Sequence, residues 1–248
     1  MNHTLRLIQL DTVDSTNTYA KQHILSGKAQ HNDVIIAQTQ THGRGQNQNQ
    51  WIAESGQNLT FSIVITPKNI LPNQQFLISQ AVAVGIAEYL KANISTQTVT
   101  IKWPNDHYVD LNKICGTLIE NSIFGNTLTY SIIGIGLNVN QTHYAENVPN
   151  PISLQSITGK IYDLHSELNN LLQFIFDRLE QLYNGHLEAL QSEYLQNLLF
   201  LNQWRHYIYN TMTIEAQITG ITEYGLLQIK DKSGSVFSVN NKELVYLF

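Results

Sequence analysis

The chain is poor in cysteine and in charge, and both shortages exclude classes of protein. Cys115 is the only cysteine, so no disulfide framework and no thiolate metal site can form. Lysine and arginine number 14 against 19 acidic residues and form no cluster, which argues against nucleic-acid binding. No apolar run reaches the length of a membrane span, and the N-terminus lacks a signal-peptide core. We therefore expect a cytoplasmic protein without nucleic-acid or membrane partners.

Common catalytic motifs are absent as well. Neither Gly134-Ile135-Gly136 nor Gly43-Arg44-Gly45 continues into a dinucleotide fingerprint, because Val139 and Gln48 occupy the third glycine position. The chain contains no Gly-Lys-Ser/Thr phosphate loop and no Gly-x-Ser-x-Gly elbow, and its nine histidines show no metal-ligand spacing. A hydrolase or a metalloenzyme is not indicated, and we predict no protein-bound metal site.

The chain does contain enough apolar residues for a sizeable core. They make up 42% of its 248 residues, which suits one domain and a small second one. A helix should begin among the capping residues 11–17 and end at Gly27. Periodicity predicts further helices at 74–93, from Asp163 to 182 and at 186–199, and strands at 5–10, 34–37, 59–65, 99–101, 114–123 and 127–135.

Beyond Trp204 the pattern changes to short strands separated by glycine turns, which we predict at 212–218, 225–229 and 235–239. Such a pattern is typical of a small β-barrel. We therefore predict an α+β protein with two domains. Residues 1–203 should form a mixed central sheet flanked by helices, and residues 204–248 should form the barrel.

The polar stretch 38–51 joins two predicted strands and has almost no apolar content. Its segment Gly43-Arg44-Gly45 would let the backbone approach a ligand while Arg44 presents a planar cation. The alternative is a surface loop in which the arginine is incidental. The stretch by itself does not decide between these interpretations.

Other polar residues lie at predicted strand ends and turns, and each allows two interpretations. Residues 15–17 can cap a helix or can bind a polar ligand group at its N-terminus. The turn 102–106, stiffened by Pro104, can be a surface turn or can present a cation and a carboxylate to a ligand. Lys113 and Glu120 can face solvent or point towards a site.

Taken in chain order, these residues form a specific set, namely Asp14-Ser15-Thr16-Asn17, Gln40 with Gly43-Arg44-Gly45 and Trp51, Lys102-Trp103-Pro104-Asn105-Asp106, Lys113-x-x-Gly116-x-Leu118-x-Glu120 and Gly134-x-Gly136-x-Asn138. The set resembles the biotin protein ligases over essentially the whole chain. Its most specific elements are Lys-Trp-Pro-Asn-Asp and Lys-x-x-Gly-x-Leu-x-Glu. Because the sequence begins at the catalytic domain, it resembles the group without an N-terminal DNA-binding helix-turn-helix.

This resemblance implies a class II synthetase-like catalytic fold, shared by biotin and lipoate ligases, followed by an SH3-like barrel. It also implies a reaction that uses ATP, with Mg²⁺ as activating ion and biotin as substrate. The biotin carboxylate attacks the α-phosphate of ATP and gives biotinyl-5′-AMP and pyrophosphate. A lysine on the biotin carboxyl carrier protein or domain of a biotin-dependent carboxylase then takes up the biotin. A homodimer formed through the central sheet is implied by analogy.

The resemblance further implies which residues act. The implied catalytic residues are Arg44, Lys102, Asp106 and Lys113, with Asp106 orienting or deprotonating the incoming lysine. The implied biotin-binding residues are Ser15, Thr16, Asn17, Gln40, Gly43, Arg44, Gly45, Gln46, Lys113, Gly116, Gly134 and Gly136. The implied ATP-binding residues are Arg44, Trp51, Lys102, Asn105, Lys113 and Asn138, with Trp51 packed against adenine.

One loop departs from the family pattern, which usually reads Gly-Arg-Gly-Arg-Arg-Gly-Arg-x-Trp. Here Gln, Asn, Gln and Asn at positions 46–49 replace three arginines and a glycine. Gln46 removes a charge that in the family helps to retain the adenylate. Gln48 replaces a glycine and restricts the backbone wherever a positive φ is needed. We therefore predict weaker retention of biotinyl-AMP than a fully basic loop gives.

Two other functions remain open on the sequence. A lipoate or octanoate ligase or transferase shares the catalytic architecture but resembles this chain less at the Lys-Trp-Pro-Asn-Asp turn. A degenerate, non-catalytic binder of biotin or of the carrier protein would suit the depleted arginine loop. The presence of Lys102, Asp106 and Lys113 argues against such a binder.

Overall fold

A mixed sheet organises the first part of the chain. In the computed structural model, which describes residues 5–46, 49–241 and 243–248, seven strands form this sheet. They are β1 (Arg6–Val13), β2 (Asp33–Gln40), β3 (Leu59–Ile65), β4 (Val99–Lys102), β5 (Asp106–Val109), β6 (Asn112–Phe124) and β7 (Thr127–Leu137). Their order is β1-β2-β3-β7-β6-β5-β4; β1 and β2 pair in parallel, and the other neighbours are antiparallel.

Helices cover both faces of this sheet. Those in the described part of the chain are α1 (Thr16–Leu25), α2 (Phe76–Asn93), α3 (Leu154–Thr158), α4 (Leu164–Tyr183) and α5 (Leu187–Gln196). On one face, Ala20 of α1 packs with Val64 of β3. On the other face, α2 and α4 contribute to the main core. None of the helices in the described ranges is long and apolar enough to cross a membrane.

Strand β3 lies between the helices on the two faces of the sheet, and this position explains its apolar sequence. All of its residues are buried. Ile63 belongs to the core that contains α2 and α4, whereas Val64 belongs to the cluster under α1. Successive residues of a strand point to opposite faces, so a strand between two layers becomes a continuous buried run. The strand predicted at 59–65 is confirmed.

The predicted long helices are confirmed as well, with small shifts at their ends. The run after Asp163 forms α4, and the Asp163 carboxylate accepts a hydrogen bond of 2.8 Å from the backbone N–H of Ser166. Gly85 lets α2 approach α4 closely, because a Cβ there would lie 2.9 Å from the Cα of Ile175. This close approach lets both helices contribute buried side chains to the main core.

A second, antiparallel sheet follows. It consists of β8 (Trp204–Tyr209), β9 (Met212–Ile221), β10 (Leu227–Asp231), β11 (Val236–Val239) and β12 (Leu244–Tyr246), in the order β11-β10-β9-β8-β12. The indole N–H of Trp103 donates to the backbone oxygen of Gly225 at 3.0 Å and ties the two sheets together. The predicted α+β class is confirmed, although β8 and β12 were not predicted. The domain boundary at 203/204 stays a prediction.

The predicted turn at the site is confirmed, with narrower bounds. The predicted turn 102–106 is the end of a β-hairpin, because Lys102 closes β4, Asp106 opens β5, and the two residues pair directly. Strand β5 escaped prediction because it is only four residues long and starts with a charged residue. Directly opposed residues of antiparallel strands point to the same face. The hairpin therefore presents a cation and a carboxylate side by side.

Candidate active site

A cavity lies on the face of the central sheet that α1 covers. Its volume of about 320 Å³ is within the range typical of small-molecule sites, about 300–1,000 Å³. The first half of the chain lines it with Ser15, Thr16, Asn17, Gln40, Arg44, Gly45, Gln46, Asn49, Gln50, Trp51, Lys102, Trp103, Pro104, Asn105 and Asp106. The second half lines it with Lys113, Gly116, Thr117, Leu118, Gly134, Ile135, Gly136, Asn241, Leu244, Val245 and Tyr246. Nearly all residues that the sequence singled out therefore meet in one place.

The strand register explains why the cavity forms there. Asp106 of β5 pairs with Gly116 of β6, which pairs with Gly136 of β7, and in the next row Leu118 pairs with Gly134. Residues in such rows share one face of the sheet. Three glycines on the same face lower the surface of the sheet, and the lowered area becomes the floor of the cavity.

Two of these glycines make room for protein side chains. A Cβ on Gly134 would overlap the amide of Asn17, and a Cβ on Gly136 would overlap the indole of Trp51. The resemblance implied that both glycines belong to the biotin-binding residues. In this structure their immediate neighbours are Asn17 and Trp51, so any space for a ligand depends on where these two side chains lie.

The N-terminus of α1 forms the buried polar wall of the cavity. The Thr16 backbone N–H donates to Gln40 Oε1 at 2.8 Å, and Ser62 Oγ donates to Asn17 Oδ1 at 2.6 Å. Ser15 occupies the N-cap position, but its side chain makes no capping hydrogen bond. Simple capping by side chains, one of the two interpretations of residues 15–17, therefore does not account for Ser15, which is almost fully buried at the cavity.

Arg44 is engaged by a carboxylate that sequence reasoning left undecided. Its guanidinium donates to both carboxylate oxygens of Glu120, at 2.9 and 3.1 Å. Glu120 also accepts a 2.8 Å hydrogen bond from the Asn17 side-chain amide. Glu120 therefore points towards the site. The sequence feature that could have indicated this orientation is the spacing of four residues between Gly116 and Glu120, which places both on the same face of β6.

Two backbone hydrogen bonds link the described parts of the loop that carries Arg44. The Trp51 backbone N–H donates to the Gly43 oxygen at 3.0 Å, and the Gly45 N–H donates to the Asn49 oxygen at 2.7 Å. Gly43 does not line the cavity; it is needed because a Cβ there would overlap the backbone oxygen of Trp51. The predicted effect of Gln48 concerns a residue outside the described ranges.

Lys113 and Asp106 form an ion pair at the floor, with Nζ and Oδ2 2.7 Å apart. Gly116 fits closely beneath this pair, since a Cβ there would lie 3.3 Å from both Asp106 Oδ1 and Lys113 Nζ. Lys113 Nζ also lies 5.9 Å from the centre of the Trp51 ring. Burial lowers the pKa of the neighbouring Lys102, an effect that Asp106 partly opposes. A carboxylate or phosphate bound in this part of the cavity would lie near three cations, Arg44, Lys102 and Lys113.

The C-terminal sheet supplies a wall that the sequence did not predict. Leu244, Val245 and Tyr246 of β12 line the cavity, and Asn241 donates a short hydrogen bond to Gln46 Oε1. Strand β12 has only three residues, which is too short for a pattern-based prediction. The arginine-depleted loop is thus connected to the C-terminal sheet through two neutral amides.

Asn138 does not reach the cavity. It is buried, and its side-chain amide donates to the backbone oxygen of Ile152 at 3.1 Å. Its own backbone N–H donates to the Ile114 oxygen. These contacts fix the end of β7 to its surroundings, and the nucleotide contact that the resemblance implied for Asn138 stays a prediction.

Comparison with known proteins agrees with this geometry. Residues 10–138 match the model of the Biotin/lipoate A/B protein ligase family. The bifunctional ligase/repressor BirA of Bacillus spizizenii is 29% identical over 185 residues, which cover 73% of this chain and 55% of that protein. This chain therefore spans little more than half of that relative.

Two other similar proteins are covered almost completely. The biotin–[acetyl-CoA-carboxylase] ligase of Paracoccus denitrificans is 29% identical over 235 residues, which cover 91% of this chain and 94% of that protein. The structure of the biotin protein ligase from Aquifex aeolicus in complex with biotin and ATP matches with a TM-score of 0.77 and 26% identity, over 97% of each chain. The two-sheet architecture is therefore that of a solved ligase.

Proposed function

Because the chain belongs to the Biotin/lipoate A/B protein ligase family, we propose that it is an ATP-dependent biotin–protein ligase whose substrates meet in this cavity. One observation carries the proposal. A buried wall of hydroxyl and amide groups at residues 15–17, extended by the partly buried Gln40, adjoins a region with three cations, Arg44, Lys102 and Lys113. A neutral ureido ring suits the first region, and a carboxylate beside a triphosphate suits the second.

The first step joins two anions, and this defines the task of the cations. A biotin carboxylate oxygen bonds to the α-phosphorus of ATP, and the bond to pyrophosphate breaks. Two unit charges about 4 Å apart repel by about 4 kcal/mol at an effective dielectric constant near 20. Arg44 and Lys113 offset this repulsion at the reacting groups, and Lys102 offsets it along the triphosphate. Catalysis is then mainly positioning and charge neutralisation.

Mg²⁺ enters this scheme with ATP, as part of that substrate. The Asp106 carboxylate and the Asn105 amide oxygen are donors of the kind that this ion prefers. Both residues line the cavity next to Lys102. The indole of Trp51, on the loop side of the cavity, offers an apolar surface for the adenine ring.

The second step uses the amine of a lysine on another protein. Its nitrogen bonds to the carbonyl carbon of biotinyl-AMP, the bond to AMP breaks, and the amine loses a proton. Asp106 would orient this amine or take up the proton. Its ion pair with Lys113 brings it beside the group that would bind the acyl phosphate.

The acceptor in this proposal is the biotin carboxyl carrier protein or domain of a biotin-dependent carboxylase. The name of the Paracoccus relative, which specifies acetyl-CoA carboxylase, supports this class of acceptor. The homodimer implied by the resemblance remains a prediction, which the mass of the protein in solution would test.

Biotin-dependent exchange between ATP and pyrophosphate tests the proposed first step. We expect exchange that requires biotin and Mg²⁺ and is abolished in Lys113→Ala. Lipoate and octanoate, supplied in place of biotin, serve as competing substrates. Exchange that is faster with lipoate or octanoate would show a different member of the family. Biotin binding without exchange would show a non-catalytic binder, and unimpaired adenylate formation in Lys113→Ala would remove the role given to Lys113.

A further inference from the structure

The ammonium group of Lys102 is surrounded by three aromatic rings. Its Nζ lies 4.9 Å from the centre of the Tyr246 ring, 5.4 Å from that of Phe248 and 5.5 Å from that of Tyr108. Each distance is within the range of a cation–π contact, about 6 Å. We refer to these three rings as the aromatic cage. Two of them come from the last three residues of the chain.

No carboxylate in the described part of the chain lies within 4.0 Å of this ammonium group, and the carboxylate of the paired residue Asp106 is engaged by Lys113. Burial lowers the pKa of Lys102, so its charged form depends on whatever stabilises the cation. A ring face stabilises a cation without occupying its N–H donors. A carboxylate partner would occupy those donors and would have to be displaced by an incoming phosphate.

The rings of the cage are held in place by one another and by their neighbours. Phe248 stacks on Tyr108 with ring centres 5.7 Å apart, and Tyr246 meets Tyr207 edge-on at 5.3 Å. Tyr246 is almost fully buried at the wall of the cavity, whereas Phe248 is 54% exposed. Phe248 can therefore be changed with little disturbance of the core.

We propose that Tyr246 and Phe248 are positioning residues that hold the Lys102 ammonium at the cavity wall, so that the C-terminal end of the chain sets the affinity for ATP. This inference rests on the proposed function, in which Lys102 binds the triphosphate. It explains why β12 lines the cavity. It also gives the C-terminal sheet a task in the first step of the reaction.

The variant Phe248→Leu tests the proposal, because it removes the ring and keeps an apolar side chain. We expect the dissociation constant for ATP to rise about two- to five-fold, the size of one partly exposed cation–π contact. Biotin affinity should not change. Phe248→Tyr, which keeps a ring, should bind ATP like the unaltered protein. Trp204→Leu is the matched control, since Trp204 forms a separate cation–π contact with Lys232, 3.9 Å from its ring centre.

The Lys102→Met background separates positioning from general support of the fold. If the cage acts through Lys102, Phe248→Leu should cause no further loss of ATP affinity in that background. A loss of the same size with Lys102 absent, or a parallel loss of biotin affinity, would overturn the proposal. An ATP affinity in Phe248→Leu equal to that of Phe248→Tyr would overturn it as well.

A second measurement tests the cage without any substrate. Acetic anhydride at limiting concentration, followed by peptide mass spectrometry, reports the reactivity of each lysine amine. In Phe248→Leu the acetylation of Lys102 should become faster relative to the exposed Lys21, whereas in Phe248→Tyr it should not. Unchanged reactivity of Lys102 would overturn the cage. Absence of ATP binding by the unaltered protein, together with the expected change in reactivity, would instead refute the proposed function.

Discussion

Replacing Glu120 by glutamine should tighten the binding of the adenylate. In the free protein Glu120 engages the Arg44 guanidinium through two hydrogen bonds of 2.9 and 3.1 Å. If Arg44 binds the biotin carboxylate and the α-phosphate, this pair must open when the ligand arrives. The cost of opening the pair is therefore subtracted from the binding free energy.

The exposure of the pair sets the size of the effect. The side chains of Arg44 and Glu120 are 44% and 30% exposed, which places the pair near the surface. Ion pairs of this kind contribute about 0.2–1 kcal/mol, because solvent screens them. Glutamine keeps an oxygen that can accept from Asn17 and removes only the charge. We therefore expect Glu120→Gln to bind the adenylate roughly 1.4- to 5-fold more tightly.

Calorimetric titration with a non-hydrolysable biotinyl-AMP analogue measures this difference. The gain should shrink as salt rises, because salt screens an exposed pair. Glu188→Gln, which removes an exposed charge on α5, serves as the control and should bind like the unaltered protein. Equal or weaker binding by Glu120→Gln would show that Glu120 does not compete with the adenylate for Arg44. Glu120 would then orient Arg44 towards the ligand.

Three further predictions follow from neighbouring features. Gly136→Ala should displace the Trp51 indole and slow adenylate formation, since the added methyl group overlaps the ring. An unchanged tryptophan emission spectrum together with full exchange activity would contradict this prediction. Gln46→Arg should release biotinyl-AMP more slowly than the unaltered protein, because Gln46 is a neutral amide bonded to Asn241 and adds no positive charge. An equal dissociation rate would count against a role of this position in retaining the adenylate. Burial lowers the pKa of His107 from 6.5 to about 4. On acidification the unfolded chain therefore protonates this histidine at a higher pH than the folded protein does. The free energy of unfolding should fall as the pH is lowered from about 6.5 to about 4, by about 3 kcal/mol in total. In His107→Leu this part of the acid dependence of urea unfolding should be missing, and an identical pH dependence would contradict the assignment.

The elements that were predictable from the sequence are those with long periodic patterns. Strand β3 is buried on both faces and therefore reads as one apolar run. The helix after Asp163 has a capping residue and a regular apolar stripe. Strands β5 and β12 have four and three residues, and patterns so short do not distinguish a strand from a turn.

The site was predictable where the family motif and the strand register agree. Lys102 and Asp106 lie together because they pair across a hairpin. The partners of the cations were not predictable, because the Arg44–Glu120 pair joins residues 76 positions apart. The structural contact of Asn138 was not predictable either. It belongs to the motif, yet its side chain is used to fix the chain after β7.

The amide-rich loop now has a structural context. Arg44 remains in the cavity wall, while Gln46 is connected to Asn241, in the turn between β11 and β12. A neutral amide pair gives little electrostatic attraction for an adenylate. The C-terminal part of the chain therefore meets the proposed ATP site at two places, at Gln46 through Asn241 and at Lys102 through the aromatic cage.

Intact-mass measurement of an acceptor protein tests the proposed transfer of biotin. The purified chain is incubated with biotin, MgATP and a biotin carboxyl carrier domain, with Lys113→Ala as the matched variant. We predict one biotinyl group on a single carrier lysine, formed only when biotin and ATP are both present and not formed by Lys113→Ala. A carrier of unchanged mass, beside a folded protein that still binds biotin, would contradict the proposed ligase activity.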